Sequence, residues 1–274
     1  VPLVDEFKNS DLYDEDMFIT GPEAVSEMTK NDALIIVDCN RASYTEYPEL
    51  VRRAQCIIVF DHHRQTTDCI DNAQLSYVEL SSSSTCEMVV EIMQYINETV
   101  KLTKMEAEAI YGGIMIDTNN FTNRTGVRTF EAAAFLRRSG ADITLVRKMF
   151  RDDMEGYRAK AAIISNAEVY QKKFAIATGT DLQVESPTII GAQAANELLD
   201  ISEIKASFVL TEYNGKIYVS ARSIDEVNVQ VIMEKLGGGG HMNASGAQFN
   251  HTDMDEAVAC LKQVLDNMIK EGDI

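Results

Sequence analysis

The sequence predicts an α/β protein of two domains: a parallel-sheet domain, then a smaller α/β domain with a mixed sheet, joined by a helical connector. Three observations predict this. Two short runs rich in Ile and Val, Ala33–Asp38 and Cys56–Asp61, lie in a first half where strand-like and helix-like segments alternate. The second half holds Asn214-Gly215 between two strand-like runs, which is the strongest short β-hairpin signal. The length, 274 residues, suits two ordinary domains.

The two apolar runs are typical of strands buried on both faces of a parallel sheet. Both end in an aspartate, Asp38 and Asp61. Ligands bind at the carboxyl ends of strands in open α/β sheets, so both acids are candidate site residues. Further along, Ser84 and Glu87 fit a capping box that opens the helix predicted over Met88–Ile96.

Hydrophobic periodicity and turn residues predict the remaining elements. Helices are predicted over the following ranges, the last with a break near Gly156: Lys104–Ile116, Arg128–Ser139 and Ile143–Tyr170. The second half is predicted to contain these strands: Lys173–Thr178, Lys205–Tyr213, Lys216–Ala221 and Ala247–Asn250. Its predicted helices are Gly191–Leu199, Asn228–Leu236 and Asp253–Lys270. The domains are therefore expected at 1–150 and 171–274, with the connector at 151–170.

Composition and charge restrict the function. The chain carries 25 basic and 43 acidic side chains, a formal net charge of −18. Proteins that bind long nucleic acid need a basic surface, so this class is disfavoured. No window approaches the roughly 18 consecutive apolar residues of a membrane span, and the acidic N-terminus is not a signal peptide. We expect a soluble segment without membrane contact, whose five cysteines are free thiols in a reducing cytoplasm.

Carboxylate and imidazole groups at the predicted sheet edge suit a divalent metal. Asp61 is followed by His62 and His63; neighbouring strand residues face opposite sides, so one His can bind a metal while the other meets substrate. Asp117 follows an apolar helical run, where the helix dipole disfavours an acid unless a cation is near. Asp38, His62 and Asp117 form a ligand set suited to Mn²⁺, Fe²⁺ or Co²⁺. Taken singly, a core histidine and a loop or capping aspartate stay open as alternatives.

Two motifs in the second half suit a phosphate. The run from Gly237 to Gly240 precedes His241 and follows a predicted helix. One glycine would cap that helix, but four exceed this need, and contiguous glycines let backbone amides approach an anion. Arg222-Ser223 adds a bidentate guanidinium and a hydroxyl. The alternative for the glycine run is a flexible loop.

With these motifs, the chain resembles the DHH phosphoesterases whose second domain is the DHH-associated domain with a GGGH loop. Asp61-His62-His63 matches the signature triplet, and Asp38 and Asp117 match the acids of the second and fourth motifs. Arg222-Ser223 and Gly238–His241 match the substrate loop of the second domain.

Other stretches look most like the catalytic unit of membrane-anchored cyclic-di-AMP phosphodiesterases: Arg64, Ser83-Ser84-Thr85, Phe130–Gly140 and Glu226–Met233. The resemblance therefore implies hydrolysis of cyclic di-AMP to linear pApA. It implies two metal ions, normally Mn²⁺, in an intact family site, with Asp38 bridging them and His62 and Asp117 completing one.

The resemblance also implies the roles of the other site residues. Asp61 would orient the histidine pair, and His63 would face the scissile phosphate or complete the site. The nucleotide and its phosphate would be bound by Arg222, Ser223, Gly238, Gly239, Gly240 and His241.

One family feature is missing from the sequence. The first motif, His-x-x-x-Asp-x-Asp, does not occur, since the first histidine of the chain is His62. Either the chain begins after this motif or the protein has lost it, and the remaining ligands suffice for one metal. Two alternatives follow: a nanoRNase-like phosphodiesterase of short oligonucleotides, and a nucleotide-binding module without catalysis. A metal-dependent pyrophosphatase is disfavoured by the glycine loop.

The surroundings of this segment are also expectations. The chain begins with Val, and the resembling proteins carry transmembrane and sensor domains before this unit. We therefore expect the cytoplasmic catalytic segment of a membrane-anchored protein. Two interpretations of Arg147, Lys148 and Arg151 stay open, a homodimer contact and a solvated face, and the solvated face is favoured.

Overall fold

A computed structural model describes residues 2–14, 17–65, 68–96, 101–151, 153–224 and 226–274. The chain divides into two compact units, residues 1–151 (unit 1) and 152–274 (unit 2). Unit 1 contains a three-stranded parallel sheet and unit 2 a six-stranded mixed sheet. The predicted α/β class is therefore confirmed. Among the described helices, none has the length and apolar character needed to cross a bilayer.

The parallel sheet of unit 1 has the strand order β1-β2-β3. Its strands are β1 (Ala33–Val37), β2 (Cys56–Asp61) and β3 (Leu75–Val78). The helices described in this unit are α1 (Pro2–Lys8), α2 (Gly21–Glu27), α3 (Pro48–Arg53), α4 (Thr85–Ile96), α5 (Lys104–Asp117), α6 (Val127–Arg138) and α7 (Ile143–Met149). A 3₁₀ turn spans Ala42–Tyr44. The strand β3 was not among the sequence predictions.

One face of this sheet is buried. Ile36, Ile57 and Val59 pack there with Val51 of α3 and with Ile70. On the other face Ile35 and Val37 remain 56% and 53% exposed. The expectation of strands buried on both faces is therefore wrong for β1.

A second cluster in unit 1 is built by helices. Apolar side chains of α4, α5, α6 and α7 form it, including Val90, Ile114, Leu136 and Val146. The helices α4 and α5 approach closely at Gly113, where an added Cβ would clash with Sγ of Cys86. Glycine is needed at this position because a larger residue would push the two helices apart.

The predicted helical segment Ile143–Tyr170 is divided into α7, α8 (Met154–Ser165) and β4 (Glu168–Tyr170). The break precedes Gly156, because Asp153 caps α8 by accepting a 2.7 Å hydrogen bond from the Gly156 amide. The helical prediction is wrong at its end, where β4 pairs antiparallel with β5. Within unit 2, α8 also packs on α9.

The sheet of unit 2 has the order β4-β5-β6-β7-β9-β8, and only the β5–β6 pair is parallel. The strands after β4 are β5 (Phe174–Gly179), β6 (Ala206–Tyr213), β7 (Lys216–Ser223), β8 (Gly239–Gly240) and β9 (Ala244–Asn250). The later helices are α9 (Pro187–Leu198), α10 (Val229–Lys235) and α11 (Met254–Glu271).

Both faces of this sheet are covered. One face packs Phe174, Phe208 and Val219 against α10 and α11. The other face packs Ala177 and Val209 against α8 and α9. The predicted hairpin is confirmed: β6 and β7 pair antiparallel, with φ of 52° at Asn214 and 69° at Gly215. The hairpin brings Arg222 and Ser223 to the end of β7, beside the chain that enters β9.

Candidate metal centre and substrate loop

Asp38 lies directly after β1. Its φ of 61° is in the left-handed region, which ends the strand one residue earlier than the sequence predicts. Its backbone amide donates to the Phe60 carbonyl (2.9 Å), so the residue stays fixed to β2. Its Oδ1 accepts a 2.9 Å hydrogen bond from Oγ1 of Thr85. The carboxylate is thus held at the carboxyl end of the parallel sheet while about half of the side chain is exposed.

Asp61, the last residue of β2, organises the two histidines. Its buried Oδ1 accepts hydrogen bonds from the amides of His62 (2.8 Å) and His63 (3.1 Å) and from Nδ1 of His63 (2.7 Å). Burial acts to raise the pKa of Asp61, but the hydrogen bonds from His63 and His62 outweigh it and the pKa is lowered. The same bond to Asp61 raises the pKa of His63. These contacts are those of a carboxylate that orients the pair.

His62 is buried and lies between polar groups on both sides of its ring. Nδ1 is 3.4 Å from the Ser82 carbonyl oxygen. Nε2 lies 3.5 Å from Oδ1 of Asp38 and 3.8 Å from Oδ2 of Asp117. Burial, reinforced by the neighbouring charge of His63, lowers the pKa of His62. A lowered pKa favours the neutral ring, which is the form that binds a metal.

Asp117 is the last residue of α5, and its Oδ2 lies near Nε2 of His62, as Oδ1 of Asp38 does. Burial, together with repulsion from Asp38, raises its pKa to about 6. Two carboxylates held this close, one of them at a helix C-terminus, leave an excess of negative charge that a cation would neutralise.

The donors fit a divalent metal. One donor atom each of Asp38, His62 and His63 all lie within 4.8 Å of one another. Asp117 adds a carboxylate oxygen beside His62. Oδ2 of Asp61 is buried without a hydrogen-bond partner among the described residues. A buried polar atom without a partner is a second indication that a ligand belongs at this site. The structure thus brings together the predicted ligands Asp38, His62 and Asp117, and adds His63 to them.

Sequence reasoning missed two further groups at this site, Thr85 and the carbonyl of Ser82. Ser82 lies in the buried serine-rich loop between β3 and α4, and Thr85 is the first residue of α4. The Ser-x-x-Glu pattern was the available signal, and half of it is confirmed, because the Glu87 amide donates to Oγ of Ser84 (3.0 Å). The Glu87 carboxylate instead accepts from hydroxyl groups of Ser82, Ser83 and Thr129.

Arg222 and Ser223 of unit 2 lie in different environments. Burial lowers the pKa of Arg222, and the hydrogen bond described for its guanidinium goes to its neighbour, the Ala221 carbonyl (2.9 Å). A desolvated guanidinium with so little compensation suits an anion. Ser223 is buried, and its hydroxyl donates to the Met242 carbonyl (3.4 Å). Arg222 is therefore the stronger anion candidate.

The glycine run is a built structure, so its interpretation as a flexible loop is wrong. Gly239 and Gly240 form β8, paired with β9. A Cβ at Gly238 would lie 2.7 Å from Cα of Ala247, and one at Gly240 would lie 2.7 Å from the Ala244 carbonyl oxygen. These two glycines therefore permit close packing on β9, whereas a Cβ at Gly239 would meet nothing within 4 Å. His241 continues the turn, its amide donating to the Ala244 carbonyl (2.8 Å).

Comparison with known proteins identifies the family. The family model described as "DHH family, N-terminal domain" matches residues 4–114, and the "DHHA1 domain" model matches residues 174–267. The chain therefore carries a DHH N-terminal domain followed by a DHHA1 domain. The first match contains Asp38 and the Asp61–His63 triplet, and the second contains Arg222–His241.

The relatives of the chain agree with these two domain matches. The chain is 40% identical over 272 residues, 98% of its length, to the cyclic-di-AMP phosphodiesterase GdpP of Geobacillus thermodenitrificans. It spans 41% of that relative's length. It is 29% identical over 258 residues to the bifunctional oligoribonuclease and PAP phosphatase NrnA of Mycoplasma genitalium, covering 91% of this chain and 80% of the relative.

A solved structure agrees with the DHH fold. The crystal structure of an exopolyphosphatase-related protein from Bacteroides fragilis superposes with a TM-score of 0.78 at 26% sequence identity. The match covers 86% of this chain and 72% of that one. The predicted resemblance and fold class are both confirmed, while the roles of the individual site residues remain predictions.

Proposed function

We propose that this chain is the catalytic segment of a metal-dependent phosphodiesterase that hydrolyses cyclic di-AMP to linear pApA. The observation that carries the proposal is the meeting of Asp38, His62 and Asp117 at one sheet edge, in a chain 40% identical over nearly its whole length to a protein of that name. The chain spans 41% of that relative's length. The proposal therefore extends to the activity of a longer protein that contains this chain.

Asp38, His62 and Asp117 would hold the metal, and His63 lies beside them. Their oxygen and imidazole donors suit Mn²⁺. When bound, such an ion polarises the phosphoryl oxygen and lowers the pKa of a water molecule. Without the His-x-x-x-Asp-x-Asp motif, this donor set is matched to one ion rather than two.

Two further side chains of unit 1 have proposed roles: Asp61 would orient His63, and His63 would contact the substrate. Oδ1 of Asp61 accepts a hydrogen bond from Nδ1 of His63 and fixes the direction of that ring. Because the bond raises the pKa of His63, the ring is charged over a wider pH range, and a charged ring is attracted to a phosphodiester. His63 is accordingly proposed to contact the scissile phosphate.

Unit 2 is proposed to bind the nucleotide. Arg222 would contact a phosphate through its guanidinium, and the open space beside Gly239, where an added Cβ would meet nothing within 4 Å, would admit the ligand close to the backbone. Ser223, Gly238, Gly240 and His241 would hold this loop in the bound shape. A membrane-anchored parent and a homodimer are proposed as its context, to be tested on the longer protein.

A second candidate is favoured by the relationship to NrnA, which is named an oligoribonuclease and covers most of this chain. A phosphodiesterase of short linear oligonucleotides would use the same metal ligands. A nucleotide-binding module that has lost turnover is the third candidate. The three differ in what they hydrolyse and in what they bind.

The test is an assay of the chain with Mn²⁺ and cyclic di-AMP, with pApA followed by chromatography. Asp38→Asn removes a ligand charge, and Asp71→Asn at an exposed acid is the matched control. Turnover that is lost in the first variant and kept in the second supports the phosphodiesterase. Faster cleavage of linear dinucleotides supports the second candidate, and tight binding of nucleotide without turnover supports the third.

A further inference from the structure

The segment from Ser82 to Thr85 contacts two of the proposed metal ligands; its first three residues form a loop and Thr85 begins α4. All four of its residues are at most 5% exposed. At one end the Ser82 carbonyl lies 3.4 Å from Nδ1 of His62. At the other end, Oγ1 of Thr85 donates to Oδ1 of Asp38 (2.9 Å). The shape of this short loop therefore affects both ligands.

A single buried carboxylate, that of Glu87, holds this loop. Glu87 is 1% exposed. Its Oε1 accepts from Oγ of Ser82 (3.0 Å), and its Oε2 accepts from Oγ of Ser83 (2.6 Å) and Oγ1 of Thr129 (2.6 Å). Its amide donates to Oγ of Ser84 (3.0 Å).

The guanidinium of Arg128 lies near the negative charge of Glu87. Nε of Arg128 lies 3.9 Å from Oε1 of Glu87, while the same guanidinium donates two hydrogen bonds to Glu91 (2.6 and 2.5 Å). Hydroxyl groups and a guanidinium can only donate to a carboxylate, so the whole cluster depends on acceptor oxygens at this position. Removing them takes the described acceptor from the buried hydroxyls of Ser83 and Thr129, whereas Oγ of Ser82 keeps a second acceptor, the Ser84 carbonyl (3.0 Å).

We propose that Glu87 is a positioning residue for the metal centre, acting on His62 and Asp38 through this loop. A carbonyl oxygen can only accept, so the Ser82 carbonyl favours a proton on Nδ1 of His62. The lone pair is then on Nε2, the nitrogen that faces Asp38 and Asp117. Groups that fix the tautomer of a histidine ligand set its metal affinity. The inference rests on the proposed metal site, but its first readout needs neither metal nor substrate.

The test compares Glu87→Gln with Glu91→Gln, one turn along the same helix. Glutamine keeps the volume of Glu87 but replaces one acceptor oxygen with a donor, whereas Glu91 bonds Arg128 and not the loop. Nitrogen-15 NMR of the four histidines in metal-free protein reports the tautomer of His62. We expect the Nδ1-protonated form in the parent and in Glu91→Gln, and its loss in Glu87→Gln.

The second readout is Mn²⁺ affinity, measured by electron paramagnetic resonance. We expect a decrease of about 10- to 100-fold in Glu87→Gln and no change in Glu91→Gln. Parental histidine shifts together with parental Mn²⁺ affinity in a folded Glu87→Gln would overturn the proposal. His62 protonated on Nε2 in the unsubstituted chain would overturn the proposal as well.

A milder variant covers the case in which Glu87→Gln does not fold. Ser83→Ala removes one donor and leaves the carboxylate and its other contacts in place. It should shift the His62 tautomer and the Mn²⁺ affinity in the same direction but less. A folded Ser83→Ala with parental values of both would contradict the proposal. If the unsubstituted chain and all variants were inactive on cyclic di-AMP, the proposed function would be contradicted. The His62 tautomer and the Mn²⁺ affinity would still test the role of Glu87.

Discussion

Thr85 donates a 2.9 Å hydrogen bond from Oγ1 to Oδ1 of Asp38, joining residues 47 positions apart in the sequence. The bond restricts the rotation of the Asp38 carboxylate, whose Oδ1 also lies 3.5 Å from Nε2 of His62. We predict that Thr85→Val lowers Mn²⁺ affinity about tenfold, because an isosteric methyl group cannot donate. Isothermal titration calorimetry with Mn²⁺ measures this.

The control for Thr85→Val is Ser207→Ala in unit 2. Ser207 is equally buried, and its hydroxyl donates to the Ala195 carbonyl (2.6 Å). Its loss should cost about 1 kcal/mol of stability and leave Mn²⁺ affinity unchanged. Equal effects of both variants on Mn²⁺ affinity would show that the Thr85 bond has no special role.

Asp117 should make the stability of metal-free protein depend on pH. Its pKa is about 6 in the folded chain, against an ordinary aspartate value of 3.8, so the folded form binds this proton more tightly than the unfolded form. The stabilisation is fully present below about pH 4 and is lost as the pH rises through about 6. Asp117→Asn should lack this loss. Urea unfolding in a chelator, from pH 4 to 7, measures the difference, and parallel curves for parent and variant would contradict it.

Arg222→Met should separate binding from stability. The guanidinium is desolvated with a single described hydrogen bond, so its removal should leave the melting temperature unchanged or raise it. Affinity for cyclic di-AMP should fall about 10- to 100-fold if a charged hydrogen bond to phosphate is lost. Lys205→Met, at an exposed ion pair with Glu226, should change neither. A marked loss of stability in Arg222→Met would assign the residue a structural role.

Alanine substitutions in the glycine run should give opposite results at neighbouring positions. Gly238→Ala and Gly240→Ala would meet the backbone of β9 and should destabilise unit 2, by about 1–3 kcal/mol each. Gly239→Ala meets nothing within 4 Å and should keep stability while weakening cyclic di-AMP binding. Thermal unfolding and calorimetry of the three variants check this. Unchanged nucleotide affinity in Gly239→Ala would remove this residue from the proposed binding loop.

The crossing of α4 and α5 can be tested with a double-mutant cycle. Gly113→Ala should destabilise unit 1 by about 1–3 kcal/mol, because its Cβ meets Sγ of Cys86. Adding Cys86→Ala removes that sulfur and should recover part of the loss. Gly126→Ala, where nothing lies within 4 Å, is the control. Additive costs in the double variant would exclude this contact as the cause.

Short sequence patterns correctly predicted the elements that neighbouring residues determine. Cys56–Asp61 is the strand that its Ile and Val content indicates, and Asn214-Gly215 forms the hairpin. Asp38 and Asp61 could be placed at one edge because parallel strands share their direction. The turn between β4 and β5 was missed, since it uses φ of 50° at Gln171 and 61° at Lys172 without a glycine to signal it.

Tertiary contacts decided what the sequence pattern left open. The pattern Ser84–Glu87 predicts a capping box, yet the Glu87 carboxylate accepts from Thr129, 42 residues away. No local pattern could reveal that partner. Likewise β3 is too short and too exposed to show a period, and only its pairing with β2 defines it.

Two constraints act on the residue at position 38. One is its left-handed backbone, and the other is the proposed role of its carboxylate as a metal ligand. At a φ of 61° the left-handed backbone disfavours most side chains, while aspartate, asparagine and glycine tolerate it. Random mutagenesis should therefore recover folded but inactive variants at this codon mainly as asparagine or glycine. Valine at the same codon should instead be lost as misfolded protein. A mutational scan that scores abundance and turnover separately should accept asparagine and glycine in the first measure and only aspartate in the second.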